Sequence, residues 1–159
     1  MGFAPHMAHF SLLPSPEAAE LSDDIRRLFE ELSESLSGEH RAYSGECRPA
    51  LDVLEHDDAV EVVIEAAGVP AAALRILFRG GVLLIVGEKM ARARAGEQTV
   101  HLLERELGRF ARAVRLNGAF DVRDAQATLR DGELVVRLPK IEERRGSPHR
   151  IAITPPHRS

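Results

Sequence analysis

The chain has 159 residues, with 21 basic and 25 acidic side chains and a formal net charge of −4. That length suits one domain with flanking arms, and a balance so close to neutral excludes the strong basic field by which nucleic acid is held. A single cysteine, Cys47, excludes an internal disulfide or a thiolate metal cage and fits a reducing compartment. No apolar run is long enough to span a membrane. The N-terminus lacks the basic-then-apolar plan of a secretion signal, so a cytoplasmic location is expected.

Residues 1–48 read as an N-terminal arm, with four basic against nine acidic side chains. Phe3, Phe10, Leu12 and Leu13 stand among Pro5, Pro14 and Pro16, apolar material without a regular period. Ser15-Pro16-Glu17 then carries the marks of a helix start: a capping hydroxyl, proline at the first helical position and an acid in the first turn. Leu21, Ile25, Leu28, Phe29, Leu32 and Leu36 follow at spacings that form one apolar stripe, predicting an amphipathic helix over about residues 16–36. Gly38 is a natural stop. The stripe must bury on the protein's own domain, on a partner subunit or on another protein.

Residues 49–139 read as strands. Val60, Val62 and Ile64 alternate with Glu61, Val63 and Glu65, the pattern of a half-buried strand that Gly68-Val69-Pro70 interrupts. Leu74, Ile76 and Phe78 alternate with Arg75, Leu77 and Arg79. Gly80-Gly81 suits a tight hairpin. Residues 82–86 are a continuous branched apolar run, predicted to be buried on both faces and to end at Gly87. Residues 89–107 form a long polar connection, a length that is usually functional or mobile, with room for a short strand near residues 100–103. Phe110, Arg112, Val114 and Leu116 then alternate up to the turn signal Asn117-Gly118. A short strand at 125–129, the turn Asp131-Gly132 and the alternating Leu134, Val136 and Leu138 close the segment at Pro139. Short strands with closely spaced turns and no crossover helix predict an all-β, immunoglobulin-like antiparallel sandwich.

Residues 140–159 carry five basic against two acidic side chains, with Pro148, Pro155 and Pro156. They predict an extended, flexible C-terminal tail. In it, Ile151 and Ile153 point to the same side of an extended backbone. They are either a docking element or an incidental pair.

Several stretches together resemble the α-crystallin domain of small heat-shock proteins. Pro49-Ala50-Leu51-Asp52-Val53 is similar to the entry to the first domain strand. Gly81-Val82-Leu83 with Ile85-Val86-Gly87-Glu88-Lys89 is similar to the strand before the long loop. Glu104-Arg105-Glu106-Leu107-Gly108-Arg109-Phe110-Ala111-Arg112 resembles the stretch leaving that loop. Ala127-Thr128-Leu129-Arg130-Asp131-Gly132-Glu133-Leu134 follows the family's Ala-x-x-x-Asn-Gly-Val-Leu signature, and Ile151-Ala152-Ile153 its Ile-x-Ile motif. The resemblance covers roughly residues 49–153. Asp131 replaces the usual Asn, Glu133 an apolar residue, and Asn117 the usual Pro.

The resemblance implies a sandwich of seven or eight strands. It implies a homodimer in which the loop of residues 89–107 adds a strand to the partner's sheet, with Val100, Leu102, Glu104 and Arg112 at the interface. It implies larger homo-oligomers in which Ile151 and Ile153 dock on a neighbouring subunit, in a groove formed by Leu74, Ile76, Phe78 and Thr128. The function implied is ATP-independent holding of partly unfolded proteins under stress, without a cofactor. Phe3, Phe10, Leu12, Leu13, Ile25, Leu28, Phe29 and Leu32 are the client-binding candidates. The parity of Arg112 places it among apolar neighbours, where a guanidinium needs an acidic or carbonyl partner, such as Glu104 or Glu106, unless a twist of the strand exposes it.

Two other classes compete with this reading. Catalysis or metal binding would have to use His6 with His9, or His101 with Glu104. Neither pair has a third ligand, and there is no nucleophile elbow, phosphate loop or dinucleotide fingerprint. A small, non-oligomeric co-chaperone-like sandwich would lack both the long loop and the Ile pair found here.

Overall fold

A computed structural model describes residues 15–35, 47–91, 95–141 and 149–156. One helix, α1 (Ser15–Ser35), precedes nine strands: β1 (Leu51–Glu55), β2 (Ala59–Glu65), β3 (Leu74–Arg79), β4 (Val82–Lys89), β5 (Gly108–Arg115), β6 (Gln126–Arg130), β7 (Glu133–Pro139), β8 (His149–Arg150) and β9 (Ile153–Thr154). They form a five-stranded sheet, β1-β2-β7-β6-β9, and a four-stranded sheet, β5-β4-β3-β8. All the pairings are antiparallel except β6 with β9.

Period-two sequence accounts for the core. Val62, Ile64, Leu134, Val136 and Leu138 line the inner face of one sheet, and Ile76, Leu83, Ile85, Phe110 and Val114 that of the other. These side chains interdigitate between the sheets because successive residues of a strand face opposite ways. Gly80 and Gly81, at φ 57° and 81°, turn β3 into β4 in the left-handed conformation that a two-residue hairpin needs. β4 pairs on both sides, with β3 and β5. It is also covered on both faces, which its unbroken apolar run required: the sandwich core lies against one face and α1 against the other.

Two expectations change. Gly87 does not end its strand: β4 runs on to Lys89. A side chain at 87 would lie 2.8 Å from Leu74 Cδ2 and 2.9 Å from Phe110 Cε1, so glycine makes room for the ring arriving from β5. Residues 97–107 contain no strand in the single chain. Part of the tail is seated on the domain, where β8 and β9 pair with β3 and β6. Among the described residues, seven strands belong to the domain and the tail adds two.

Candidate functional site

Three surfaces were singled out in the sequence: the helical stripe, the tail groove and the long loop. The stripe lies on the outer face of the four-stranded sheet. Leu28 and Leu32 are each 1% exposed and pack on Leu77, Leu84 and Val86, while Leu21, Ile25 and Phe29 cover the margin. Of the three destinations left open for the stripe, this chain's own domain is the one occupied. As client-binding candidates, Leu28 and Leu32 are therefore inaccessible while α1 is seated. Phe3, Phe10, Leu12 and Leu13, with Leu36, lie outside the described residues.

Charges rim the helix. Buried Asp24 stands 3.5 Å from Arg79. Arg109 donates to the Ser33 hydroxyl at 3.2 Å and lies 5.1 Å from the centre of the Phe29 ring, a cation–π contact. Glu31 lies between two arginines: both terminal nitrogens of Arg150 donate to its carboxylate, one of them at 2.6 Å, and Arg75 Nε approaches to 3.9 Å. The hydrogen bond from Arg150 is the main reason that the Glu31 carboxyl is held below its usual pKa. The same bond raises the pKa of Arg150. No sequence signal marked this pair, because its members stand 119 residues apart.

Between β3 and β6 runs a groove that this chain's own tail fills. Arg150 and His149 pair with Leu77 and Phe78 of β3, and Ile153 and Thr154 with Ala127 and Thr128 of β6. Between the two short strands the Ile151 N–H donates to the Ile76 carbonyl at 3.3 Å, and the Ile151 side chain enters the core, 6% exposed. Ile153 is half-buried against the same core. Leu74 and Ile76 are buried and Phe78 half-buried, with its ring edge-on to Phe120 at 6.0 Å; Thr128 contributes backbone only. The tail thus closes one edge of each sheet, a direct way to remove unpaired strand edges. Burial of Ile151 contributes about 1.5–3 kcal/mol.

The loop leaves apolar side chains open to water. Val100, Leu102 and Leu103 are 56%, 74% and 78% exposed, and Glu104 and Glu106 face solvent. Arg112 is half-buried on the inner side of β5, as its parity indicated. Its guanidinium donates to the Pro49 carbonyl, which supplies the carbonyl partner that the sequence called for. Burial, and then the nearby charge of Arg48, lower its pKa.

Among the described residues no cluster of three or more His, Cys, Asp or Glu side chains could hold a metal ion. His101 is exposed, and His6 and His9 lie outside the described residues. No described helix is long and apolar enough to cross a membrane.

Comparison with known proteins agrees with this architecture. The model of the Hsp20/alpha crystallin family matches residues 52–154. Heat shock protein 16 of Schizosaccharomyces pombe is 33% identical over 102 residues, covering 62% of this chain and 71% of that protein. The 17.7 kDa class II heat shock protein of Arabidopsis thaliana is 27% identical over 128 residues, covering 76% and 81%. Among solved structures, heat shock protein 16.0 from Schizosaccharomyces pombe has a TM-score of 0.55 at 30% identity, over 68% of this chain and 99% of that one. With the sandwich, the long loop and the Ile-x-Ile tail all inside the matched region, the chain belongs to the Hsp20/alpha crystallin family of small heat-shock proteins, ATP-independent chaperones and not enzymes.

Proposed function

We propose that this chain holds partly unfolded proteins without ATP and keeps them from aggregating under stress. The second apolar cluster carries this reading: Leu28 and Leu32 of α1 on Leu77, Leu84 and Val86 of the sheet. A helix of this kind is only marginally stable alone and depends on the face it covers. When α1 lifts, two apolar surfaces appear at once, the stripe and the sheet face beneath it. Both suit the exposed apolar segments of an unfolding client, which need adaptable surface and no fixed chemistry. Phe3, Phe10, Leu12 and Leu13 are further client-binding candidates by their apolar character.

Members of the family form homo-oligomers. For this chain the apolar loop residues Val100 and Leu102 are the dimerisation arm. The β1 edge of a partner is their natural site, since β8 and β9 close the opposite edge of each sheet. Residues 47–49 already lie along β5, through Cys47 N–H to the Arg109 carbonyl and through Arg112 to Pro49. The tail makes the larger assembly by exchange: the contacts of Ile151 and Ile153 with their own groove are equally available in the groove of a second copy. Ile151→Ala with Ile153→Ala is expected to lower the native mass of the particle, and an unchanged mass would refute the tail's role. The free thiol of Cys47 suits a reducing, cytoplasmic setting. The comparisons lend no support to a small co-chaperone-like docking module.

The test is light scattering from a heat-aggregating model client mixed with the purified chain, without ATP. Suppression at near-stoichiometric subunit ratios supports holding. Aggregation undiminished at every temperature tried would end this reading.

A further inference from the structure

We propose that α1 and the tail strand β8 form one latch, so that the seating of the helix reports whether the tail groove is filled. The observation is the fork between Glu31 and Arg150. Arg150 sits on β8 opposite Leu77 of β3. Leu77 is one of the residues on which α1 rests. From that place the Arg150 guanidinium reaches out of the groove and donates from both terminal nitrogens to Glu31. Glu31 lies next to Leu32 and one turn after Leu28, the two side chains that anchor the helix. The tail therefore holds the helix at its most buried point, while Ile151 and Ile153 hold the tail.

Emptying the groove has two consequences for α1. Glu31 loses the fork, and the approach of Arg75 that remains is longer, at 3.9 Å. Leu77 loses the strand beside it, so that the edge of the face under α1 opens to water. Both weaken helix docking, and by linkage a released helix weakens tail docking by the same factor. The latch is indifferent to the origin of the tail, since Arg150 of any copy seated in this groove presents the same guanidinium to Glu31. Helix seating thus follows groove occupancy: loss of a neighbouring subunit would free the apolar stripe when assembly contacts are lost. What the freed surfaces do rests on the proposed holding function; the coupling does not.

The fork is partly exposed, with the Glu31 and Arg150 side chains 35% and 48% accessible. Its share of the coupling is therefore modest, roughly a two- to fivefold change in the helix-docking equilibrium. The test is hydrogen exchange by mass spectrometry on the full chain, comparing wild type, Arg150→Ala, Ile151→Ala with Ile153→Ala, and all three together. Arg150→Ala is expected to speed exchange in α1 by roughly two- to fivefold, the Ile pair by at least as much, and the triple variant no more than the Ile pair alone. Leu28→Ala is expected to speed exchange in residues 149–154. Unchanged α1 exchange after loss of the Ile anchors, or effects of Arg150→Ala and the Ile pair that simply multiply, would overturn the latch. Protection in β2 and β7 checks that the sandwich persists. Should loss of Ile151 unfold it, Arg150→Ala decides alone, because it leaves both isoleucines in place and unchanged α1 exchange would sink the proposal. Coupled exchange without any suppression of aggregation would leave the latch standing and remove the holding function.

Discussion

Leu28→Ala separates the two apolar clusters. Leu28 is 1% exposed and packs only within the layer between α1 and the sheet, whereas Ile85, fully buried, belongs to the sandwich core. Burial of Leu28 and Leu32 together contributes about 3–6 kcal/mol to helix docking before ordering costs. Large-to-small changes in cores cost about 2–5 kcal/mol. At the outer layer the low end applies, about 2–3 kcal/mol, because the helix can settle into the space left. That raises the undocked fraction of α1 by roughly 30- to 150-fold. Hydrogen exchange read segment by segment is the assay. Residues 21–34 are expected to exchange faster by about that factor while β2 and β7 stay protected, and a dye that binds apolar surface is expected to report the bared Leu77, Leu84 and Val86. Ile85→Ala, the control, is expected to weaken protection throughout the sandwich. If Leu28→Ala weakens β2 and β7 as much as α1, helix and sandwich are one cooperative unit and the reasoning is wrong. If α1 exchange does not change, this face is not what holds the helix.

Gly87→Ala is expected to destabilise the sandwich by about 1–3 kcal/mol, because the methyl group meets Phe110 and Leu74; a urea midpoint equal to wild type refutes the close approach. Arg112→Ala leaves the Pro49 carbonyl without its donor and is expected to cost about 1–3 kcal/mol, with faster exchange in β1 and easier dimer dissociation; an unchanged melting curve and dissociation profile count against it. Acid is expected to loosen α1. Glu31 faces Arg150 of β8 and Arg75 of β3, with Arg27 on its own helix, and these hold its carboxyl below the ordinary value of 4.5. A depressed carboxylate stabilises the folded state at pH values above that ordinary range, and the contribution is lost as pH falls through the depressed value. Helical circular dichroism is expected to hold near neutrality and to decline below pH 4.5, with a smaller decline in Glu31→Gln; identical acid profiles would refute the contribution of Glu31.

Much of the sandwich was legible because its signals are local. Val60, Val62 and Ile64 alternate, Gly80-Gly81 and Asp131-Gly132 mark turns, and a run such as 82–86 has only buried solutions. The Ile pair was legible as a unit for the same reason, two branched side chains on one side of an extended tail. Gly87 misled because a glycine after an apolar run reads as a stop. Its actual role, space for the Phe110 ring, depends on a strand more than twenty residues later. Glu31 and Arg150 gave no signal at all, since opposite charges are common and only the fold brings these two together.

By itself the sequence determined the strand pattern, the turns, an amphipathic helix and a pair of isoleucines on one side of the tail, since each follows from side-chain spacing along a few residues. Only the tertiary structure decided where the apolar stripe goes, that the tail fills its own groove and closes an edge of each sheet, and that helix and tail meet at Glu31 and Arg150. Spacing states which surfaces must leave water. Which surface covers which is settled only when distant segments compete for the same faces and edges.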